Sequence, residues 1–223
     1  MYSSIKFSDT LFTKFSYSFW FSKGLLVSKV IDTTLFSLGY LPVKSTLNFN
    51  SSYCYITLDL FQFKSSYTSA LFLKAVSLLE KHISLLILAG IPTRIFIKSS
   101  AVSSESSLFE TIFSLASKGF NVSHLVAKVI VTLLEKTARH SRVLDVCFST
   151  ITRVFNSSTN SRIVGLKINV QGRVNGSDRS KKIVLSLGTV SRKTFIKVTD
   201  INHSFAKTPY GVLGVKVWCS YSN

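Results

Sequence analysis

The stretch of sequence best suited to bind an anion is GLKINVQGRVNGSDRSKK, residues 165–182. Its glycines allow the backbone to approach a ligand closely, and its Lys and Arg side chains match the charge of phosphate. In an enzyme, such a phosphate loop lies at a strand-to-helix turn, where the helix N-terminus binds the anion. Here the glycines are followed by KKIVLSL at 181–187, which predicts another strand. The stretch therefore favours a surface that binds a polyanion without catalysis.

No local spacing of residues predicts a catalytic or metal site. Cys54, Cys147 and Cys219 form no C-x-x-C pair, so we expect reduced thiols packed as small hydrophobic side chains. The 4 histidines are scattered and do not have the spacing of a helical metal pair. Ser-His-Asp, Cys-His and paired-carboxylate arrangements are not spaced locally either. We predict that the protein is not an enzyme and has no metal or cofactor.

The chain is strongly basic. It has 27 Lys and Arg against 10 Asp and Glu, a formal net charge of +17 and a pI near 10.0. Residues 161–223 hold 11 of the cations and 2 of the anions, so more than half of the excess charge lies there. This imbalance predicts a polyanionic partner, either nucleic acid or an anionic membrane surface. The longest apolar runs, 83–91 and 125–134, are shorter than the roughly 20 residues that span a bilayer, so we expect no membrane span.

The first half of the sequence predicts a strand, a helix and a second strand. Residues 52–63 alternate between apolar and mixed positions, which is the period of a half-buried strand. The helix that follows is expected to bury Leu71, Ala75, Leu78, Leu79, His82 and Leu86. Residues 92–98 return as a short strand, and the Ser-rich stretch 99–107 is expected to be a linker. The first 23 residues lack Arg, so we expect a retained N-terminal arm and not a transit peptide.

The second half predicts helices followed by a sheet. Residues 121–155 have the pattern of one long helix or a broken pair, with Ser123 as the candidate N-cap. From Gly165 the apolar period changes to two, which predicts a sheet with one buried face and one basic or solvated face. The cations that could bind phosphates lie on strand edges and turns: Arg173, Arg179, Lys181, Lys182, Arg192 and Lys193. The alternative is that these cations only form a generic solvated face and bind no ligand.

Two motifs resemble the C-terminal domain of small-subunit ribosomal protein S3. GLKINVQGRVNG at 165–176 is similar to the family's G-[IL]-K-[IV]-x-[IV]-x-G-R-[LIV]-x-G signature, and TPYGVLGVKVW at 208–218 is similar to its T-x-Y-G-V-x-G-V-K-V-W. Between them, Gly188 and Asp200 fall where the family has a turn glycine and an aspartate. The motif residues, for which we predict structural roles, are Gly165, Gly172, Gly176, Gly188, Asp200, Tyr210, Gly211, Gly214 and Trp218.

The resemblance continues upstream. The strand, helix and strand between Tyr53 and Lys98 fall where the family has its type II KH domain. The stretch that matches the nucleotide-gripping G-x-x-G loop, KSSYTSALF at 64–72, contains no glycine, so the resemblance implies a degenerate KH domain. In the long helix, it implies that Arg139 and Arg142 belong to a basic cluster facing messenger RNA, with Asp145 replacing a cation.

These observations predict an α+β protein: a degenerate, type II KH-like domain, then helices packed on a mainly antiparallel, four-stranded sheet. The expected divisions are an arm and helix (1–51), the KH-like domain (52–98), a linker (99–120) and the S3-like domain (121–223). The resemblance implies a structural constituent of the small-subunit head. Its partners would be rRNA, neighbouring proteins and messenger RNA, with rRNA bound through the eight cations named above. We expect a mitochondrial ribosome, with a plastid as the alternative compartment. The alternative function is a free-standing basic RNA-binding or membrane-surface module.

Overall fold

The chain folds into two compact units, Met1–Ser106 and Ser107–Asn223, each with its own four-stranded sheet. The structure is a computed structural model that describes residues 3–7, 17–50, 53–62, 69–87, 91–102, 108–157, 162–190 and 199–222.

Unit 1 has a mixed sheet. Its elements are β1 (Ser3–Phe7), α1 (Tyr17–Ser37), β2 (Tyr40–Phe49), β3 (Cys54–Gln62), α2 (Ser69–His82), a π-helical turn (Ile83–Ile87) and β4 (Thr93–Val102). The strand order is β1-β2-β3-β4, in which β2 and β3 are antiparallel and the two outer pairs are parallel. The parallel β3 and β4 require a crossover connection, which contains α2. The segment predicted as an arm and helix thus also contributes strands β1 and β2.

The core of unit 1 lies between the helices and one face of this sheet. Along α1, Trp20, Val27, Ile31 and Leu35 are buried at helical spacing. They belong to one cluster with the alternate residues of β3, Cys54, Ile56, Leu58 and Leu60. The structure therefore confirms the strand that the alternating sequence predicted, and it shows that the face with Cys54, Ile56, Leu58 and Leu60 is the buried one.

Of the predicted buried stripe of α2, Leu79 is confirmed, whereas Leu71, Leu78 and His82 are exposed and were predicted wrongly. The residues that α2 and the following turn bury are Phe72, Val76, Leu79 and Ile83. Leu71 and Leu78 are 52% and 59% exposed. The helix has apolar residues on two adjacent sides. The Phe72 ring packs on Tyr40 with a centroid distance of 4.4 Å, and this contact determines that the side with Phe72 and Val76 is buried. Periodicity alone does not distinguish two adjacent stripes.

Unit 2 is an α+β domain with an antiparallel sheet. Its elements are α3 (Leu108–Ser117), α4 (Ser123–Lys136), α5 (His140–Ser157), β5 (Ile163–Gly172), β6 (Lys181–Gly188), β7 (Thr199–Thr208) and β8 (Gly211–Tyr221). The strand order is β6-β5-β8-β7, and every neighbouring pair is antiparallel. This confirms the predicted four-stranded sheet backed by helices.

Two helical segments differ from the prediction. Residues 99–120, expected to be a linker, contain α3, because Phe109, Ile112 and Phe113 give this stretch an apolar face that is buried. The predicted long helix is a broken pair, since Thr137 after α4 has extended backbone angles (φ −124°, ψ 141°). α5 then restarts at His140.

Helix α4 is anchored to the sheet at both ends. The N-cap position is Val122 and not the predicted Ser123. The Val122 amide donates to the Tyr221 hydroxyl (2.9 Å), and the Ser123 hydroxyl donates to Asp200 Oδ2 (2.6 Å). At the other end, the Lys207 amide donates to Glu135 Oε1 at 3.0 Å. The Ser123 amide also donates to Asp200 Oδ2, at 3.4 Å, so the N-cap amide and the first amide of α4 are bonded to β8 and β7 and not to a local cap.

Candidate nucleic-acid interface

Four of the predicted phosphate contacts lie on one exposed turn, which we call the basic turn (residues 173–182). It connects β5 to β6 through a short 3-10 helix, Val174–Gly176. Arg173, Arg179, Lys181 and Lys182 all have exposed side chains. The last two belong to the first pairs of the β5–β6 ladder, opposite Gly172 and Gln171. The cations are therefore held by a strand end and a turn, available to a ligand in solvent.

Hydrogen bonds within the basic turn fix its shape. Arg173 Nε donates to the Ser177 carbonyl at 2.9 Å, and the Ser177 hydroxyl donates to the Arg179 carbonyl at 2.8 Å. Gly176 has a φ of +74°, and a Cβ there would lie 2.9 Å from the Tyr210 ring. Tyr210 stands between β7 and β8, so the tip of that hairpin packs directly on the basic turn.

Asn175 joins the basic turn to the start of α5. Its Oδ1 accepts from the Ser141 amide (3.1 Å), its Nδ2 donates to the Ser141 hydroxyl (2.7 Å), and its own amide donates to His140 Nδ1 (3.2 Å). These contacts cross 34 or 35 residues of sequence. The sequence predictions missed Asn175 and His140 as positioning residues; the signal for the first was the Asn-Gly turn pair.

The Asn175 contacts bring the second group of predicted cations to the same surface. Arg139 precedes α5, Arg142 lies in its first turn, and both are exposed. The N-terminus of a helix carries partial positive charge, so arginines there are unfavourable unless an anion is bound. Together with the basic turn, they form a predominantly basic surface on two elements, with Asp178 as the acidic residue of the turn. Such a surface can bind phosphates by neutralising their charge.

His140 lies behind this surface. It is fully buried, its ring is 5.9 Å from that of Tyr210 in an edge-on arrangement, and Nδ1 accepts from Asn175. Its Nε2 has no hydrogen-bond partner among the residues that the structure describes. Burial lowers the pKa of His140, and the nearby Thr137 carbonyl opposes this effect only in part. His140 is therefore neutral at pH 7.

We expect unit 2 to lose stability as the pH falls below about 6.5. The pKa of His140 is lower in the folded state than in the unfolded state, so the unfolded state binds more protons in this range. Thermal unfolding midpoints across this pH range test the expectation, with His140→Gln as the control that removes the titrating group. Unchanged acid sensitivity in that variant would assign the effect to another residue.

The remaining predicted residues have distinct positions. Arg192 and Lys193 lie outside the described residues. Asp200 accepts the α4 hydrogen bond given above, and Trp218 is half-buried on β8. Positive φ angles occur at four of the motif glycines, Gly172, Gly176, Gly188 and Gly211. A Cβ on Gly165 would overlap the Thr189 carbonyl, whereas one on Gly214 would meet only ordinary contacts.

The cysteines do not provide a nucleophile. Cys54, Cys147 and Cys219 are free and buried. Burial raises the pKa of the Cys54 thiol to about 12 and that of Cys147 to about 11, and it raises the pKa of Cys219 as well. These thiols are protonated at neutral pH and are poor nucleophiles. Within the described ranges there is no group of three side chains that could hold a metal ion. No helix in those ranges is long and apolar enough to cross a bilayer.

The part of the chain that carries the basic turn and the start of α5 is similar in sequence to known proteins. Residues 133–219 match the family model described as "Ribosomal protein S3, C-terminal domain". The chain is 31% identical over 94 residues to small ribosomal subunit protein uS3 of Karelsulcia muelleri (strain GWSS), covering 42% of this chain and 38% of that protein. It is 35% identical over 94 residues to uS3c of Gracilaria tenuistipitata var. liui (42% and 40%) and 34% over 107 residues to uS3c of Chlamydomonas moewusii (48% and 13%). The chain thus spans 40% or less of these relatives.

Proposed function

We propose that the protein belongs to the ribosomal protein S3 family, whose C-terminal-domain model matches residues 133–219, and that it is a structural, non-catalytic constituent of the small ribosomal subunit. It would bind rRNA in the head of the subunit and contact neighbouring ribosomal proteins. The observation that carries this proposal is the family match itself, which contains all eight of the predicted RNA-binding residues.

The geometry of unit 2 supports rRNA as the polyanion. Phosphate contacts dominate the affinity of proteins for nucleic acids, and they require cations held on one surface. The basic turn and the start of α5 supply these cations from two elements, and the Asn175 hydrogen bonds hold the two elements together. Only one acidic residue, Asp178, lies in the basic turn.

We propose that unit 1 contains a degenerate KH-like domain, at about residues 52–98, that acts as a scaffold. Its β3, α2 and β4 supply the strand, helix and strand that the resemblance implies. The absence of glycine from residues 64–72 argues against the close approach of backbone to phosphate on which KH binding depends.

Two finer assignments belong to the same proposal. Arg139 and Arg142, on the exposed start of α5, would lie near messenger RNA at the entry side of the subunit. The compartment would be an organelle, and we propose the mitochondrion before the plastid. The divergence of the KH-like loop and the Phe-rich composition, with 18 Phe, support an organellar ribosome.

Cosedimentation tests the proposed function. The tagged chain, expressed in its native cells, should migrate with small ribosomal subunits through a sucrose gradient at high salt. Fractionation of mitochondria and plastids before the gradient would assign the compartment. Recovery only in light fractions would exclude the ribosomal assignment and favour a free-standing RNA-binding or membrane-surface module.

Replacing Lys181 and Lys182 together by Ala should flatten the salt dependence of rRNA binding by about two phosphate contacts. Both side chains are exposed at the start of β6, so the change should leave folding intact. The measurement is the slope of log K against log salt concentration for a small-subunit rRNA fragment. Lys29 and Lys118 are also exposed and provide a double-alanine control of equal charge. Equal slopes for the two variants would remove Lys181 and Lys182 from the contact surface.

A further inference from the structure

One face of the unit 2 sheet is open to solvent. The helices cover the face that buries Leu166, Ile168, Val215 and Val217. The opposite side, which we call the open face, carries the alternate residues of all four strands. In the pairing register they are Lys167, Asn169 and Gln171 on β5, Lys182, Val184 and Ser186 on β6, Ile201, His203, Phe205 and Lys207 on β7, and Val212, Gly214, Lys216 and Trp218 on β8.

The open face is basic. Lys167, Lys182, Lys207 and Lys216 belong to it, and the last three are exposed. Among the described residues of the four strands it carries no Asp or Glu, because Asp200 is directed to the α4 side, where it binds Ser123. A neutral apolar partner would have to remove water from these ammonium groups without pairing them, which is costly. The charge of the open face therefore matches an anionic ligand.

Exposed rings and apolar side chains stand among these cations. Phe205 is 58% exposed and packs edge-on against His203 at a centroid distance of 4.7 Å. Ile201 is 60% exposed and lies opposite Trp218, which is half-buried. Aromatic side chains interspersed with cations are the usual surface on which unpaired bases stack while phosphates contact Lys or Arg.

Gly214 lies in the interior of β8 without a conformational reason to be glycine. Its φ is not positive, and the nearest atoms to an added Cβ would be Gln171 O at 3.8 Å and His203 Nε2 at 3.9 Å. Across the four strands, Lys182, Gln171, Gly214 and Phe205 lie side by side in one row. The missing side chain of Gly214 leaves a gap in this row between Gln171 and Phe205. A glycine inside a strand often marks a place where a ligand approaches the backbone closely.

We propose that the open face binds a single-stranded segment of RNA. A base lies in the gap over Gly214 and stacks on Phe205, and the neighbouring phosphates contact Lys182 and Lys216. This deepens the proposed function, on which it rests for the choice of RNA, because it adds to the basic turn a surface that distinguishes unpaired from paired nucleotides. A duplex cannot place an unstacked base in the gap.

The probe is an oligouridine of about 12 nucleotides, within the range of single-strand site sizes. The full chain is used in a Trp20→Phe background, so that Trp218 is the only tryptophan left of the 2 in the sequence. Binding should quench Trp218 fluorescence. Phe205→Ala should weaken binding about tenfold. Gly214→Val should weaken it similarly while leaving the thermal unfolding midpoint unchanged. Val146→Ala, an equally exposed apolar position (57%) on α5, should have no effect.

The charge-neutral variants separate this proposal from the proposed function. If Phe205→Ala does not weaken oligouridine binding but the chain still cosediments with small subunits, the open-face site is overturned and the proposed function is not. Two results together would exclude single-stranded RNA as the ligand. The first is that Phe205→Ala and Gly214→Val bind oligouridine with the affinity of the parent protein. The second is that a duplex of equal length quenches Trp218 fluorescence as strongly as oligouridine does. Release of a ribosomal protein from the subunit by Phe205→Ala, with unchanged oligouridine binding, would likewise overturn the proposal and make the open face a protein contact.

Discussion

Gly188→Ala should destabilise unit 2 by about 3 kcal/mol or more. Gly188 has a φ of +62°, and a Cβ there would overlap the Val164 carbonyl oxygen and lie 3.0 Å from Phe155 Cζ. The first of these atoms belongs to the β5 backbone next to the Gly165–Gly188 pair that ends the β5–β6 ladder, and it accepts a hydrogen bond from the Thr189 amide at 3.4 Å, so it cannot move without disturbing the end of the sheet. The measurement is the free energy of unfolding from urea titration.

Gly214→Ala is the matched control for this substitution. The change in chemistry is identical, but the backbone is not strained and the added methyl group has room. We expect a change of less than about 1 kcal/mol, since alanine also restricts the unfolded chain. Similar losses at the two positions would mean that the backbone around Gly188 adjusts freely and that the overlap does not determine stability.

Asn175→Ala should have the second largest effect, and it should act on both stability and RNA binding. The variant loses two side-chain hydrogen bonds to Ser141 and places alanine at a φ of 55°. Together these changes should cost about 2–3 kcal/mol. Because the start of α5 is then tied to the basic turn only through the residue 175 amide and His140, the salt slope for rRNA should fall by up to about the two contacts of Arg139 and Arg142.

Asn175→Gly separates the two contributions. Glycine adopts the positive φ without strain and keeps the amide that donates to His140, but it cannot bond Ser141. Stability should therefore recover by about 1 kcal/mol while the salt slope stays reduced. A slope equal to that of the parent protein in both variants would mean that the start of α5 does not share an RNA contact with the basic turn.

The features that could be predicted from the sequence are those encoded by local period. Alternation after Gly165 predicts the antiparallel sheet, and the four cations of the basic turn, predicted on strand edges and turns, lie on a turn and a strand end. The buried side of α2 was not predictable, because Leu71 and Phe72 begin two apolar stripes and only tertiary packing on Tyr40 selects one. The contact of Asn175 with α5 was also beyond local pattern, since its partners are 34 and 35 residues away.

The anchoring of α4 has a consequence for how the domain assembles. The Ser123 amide donates to Asp200, 77 residues later in the sequence, and the Val122 amide donates to Tyr221, 99 residues later. Closing loops of this length carries an entropic cost before any contact compensates for it, and folding dominated by distant contacts is slow. During synthesis, α4 therefore emerges with an unsatisfied first turn, and its docking must wait until β7 and β8 have been made. Unit 2 should accordingly acquire its native order late and in one step.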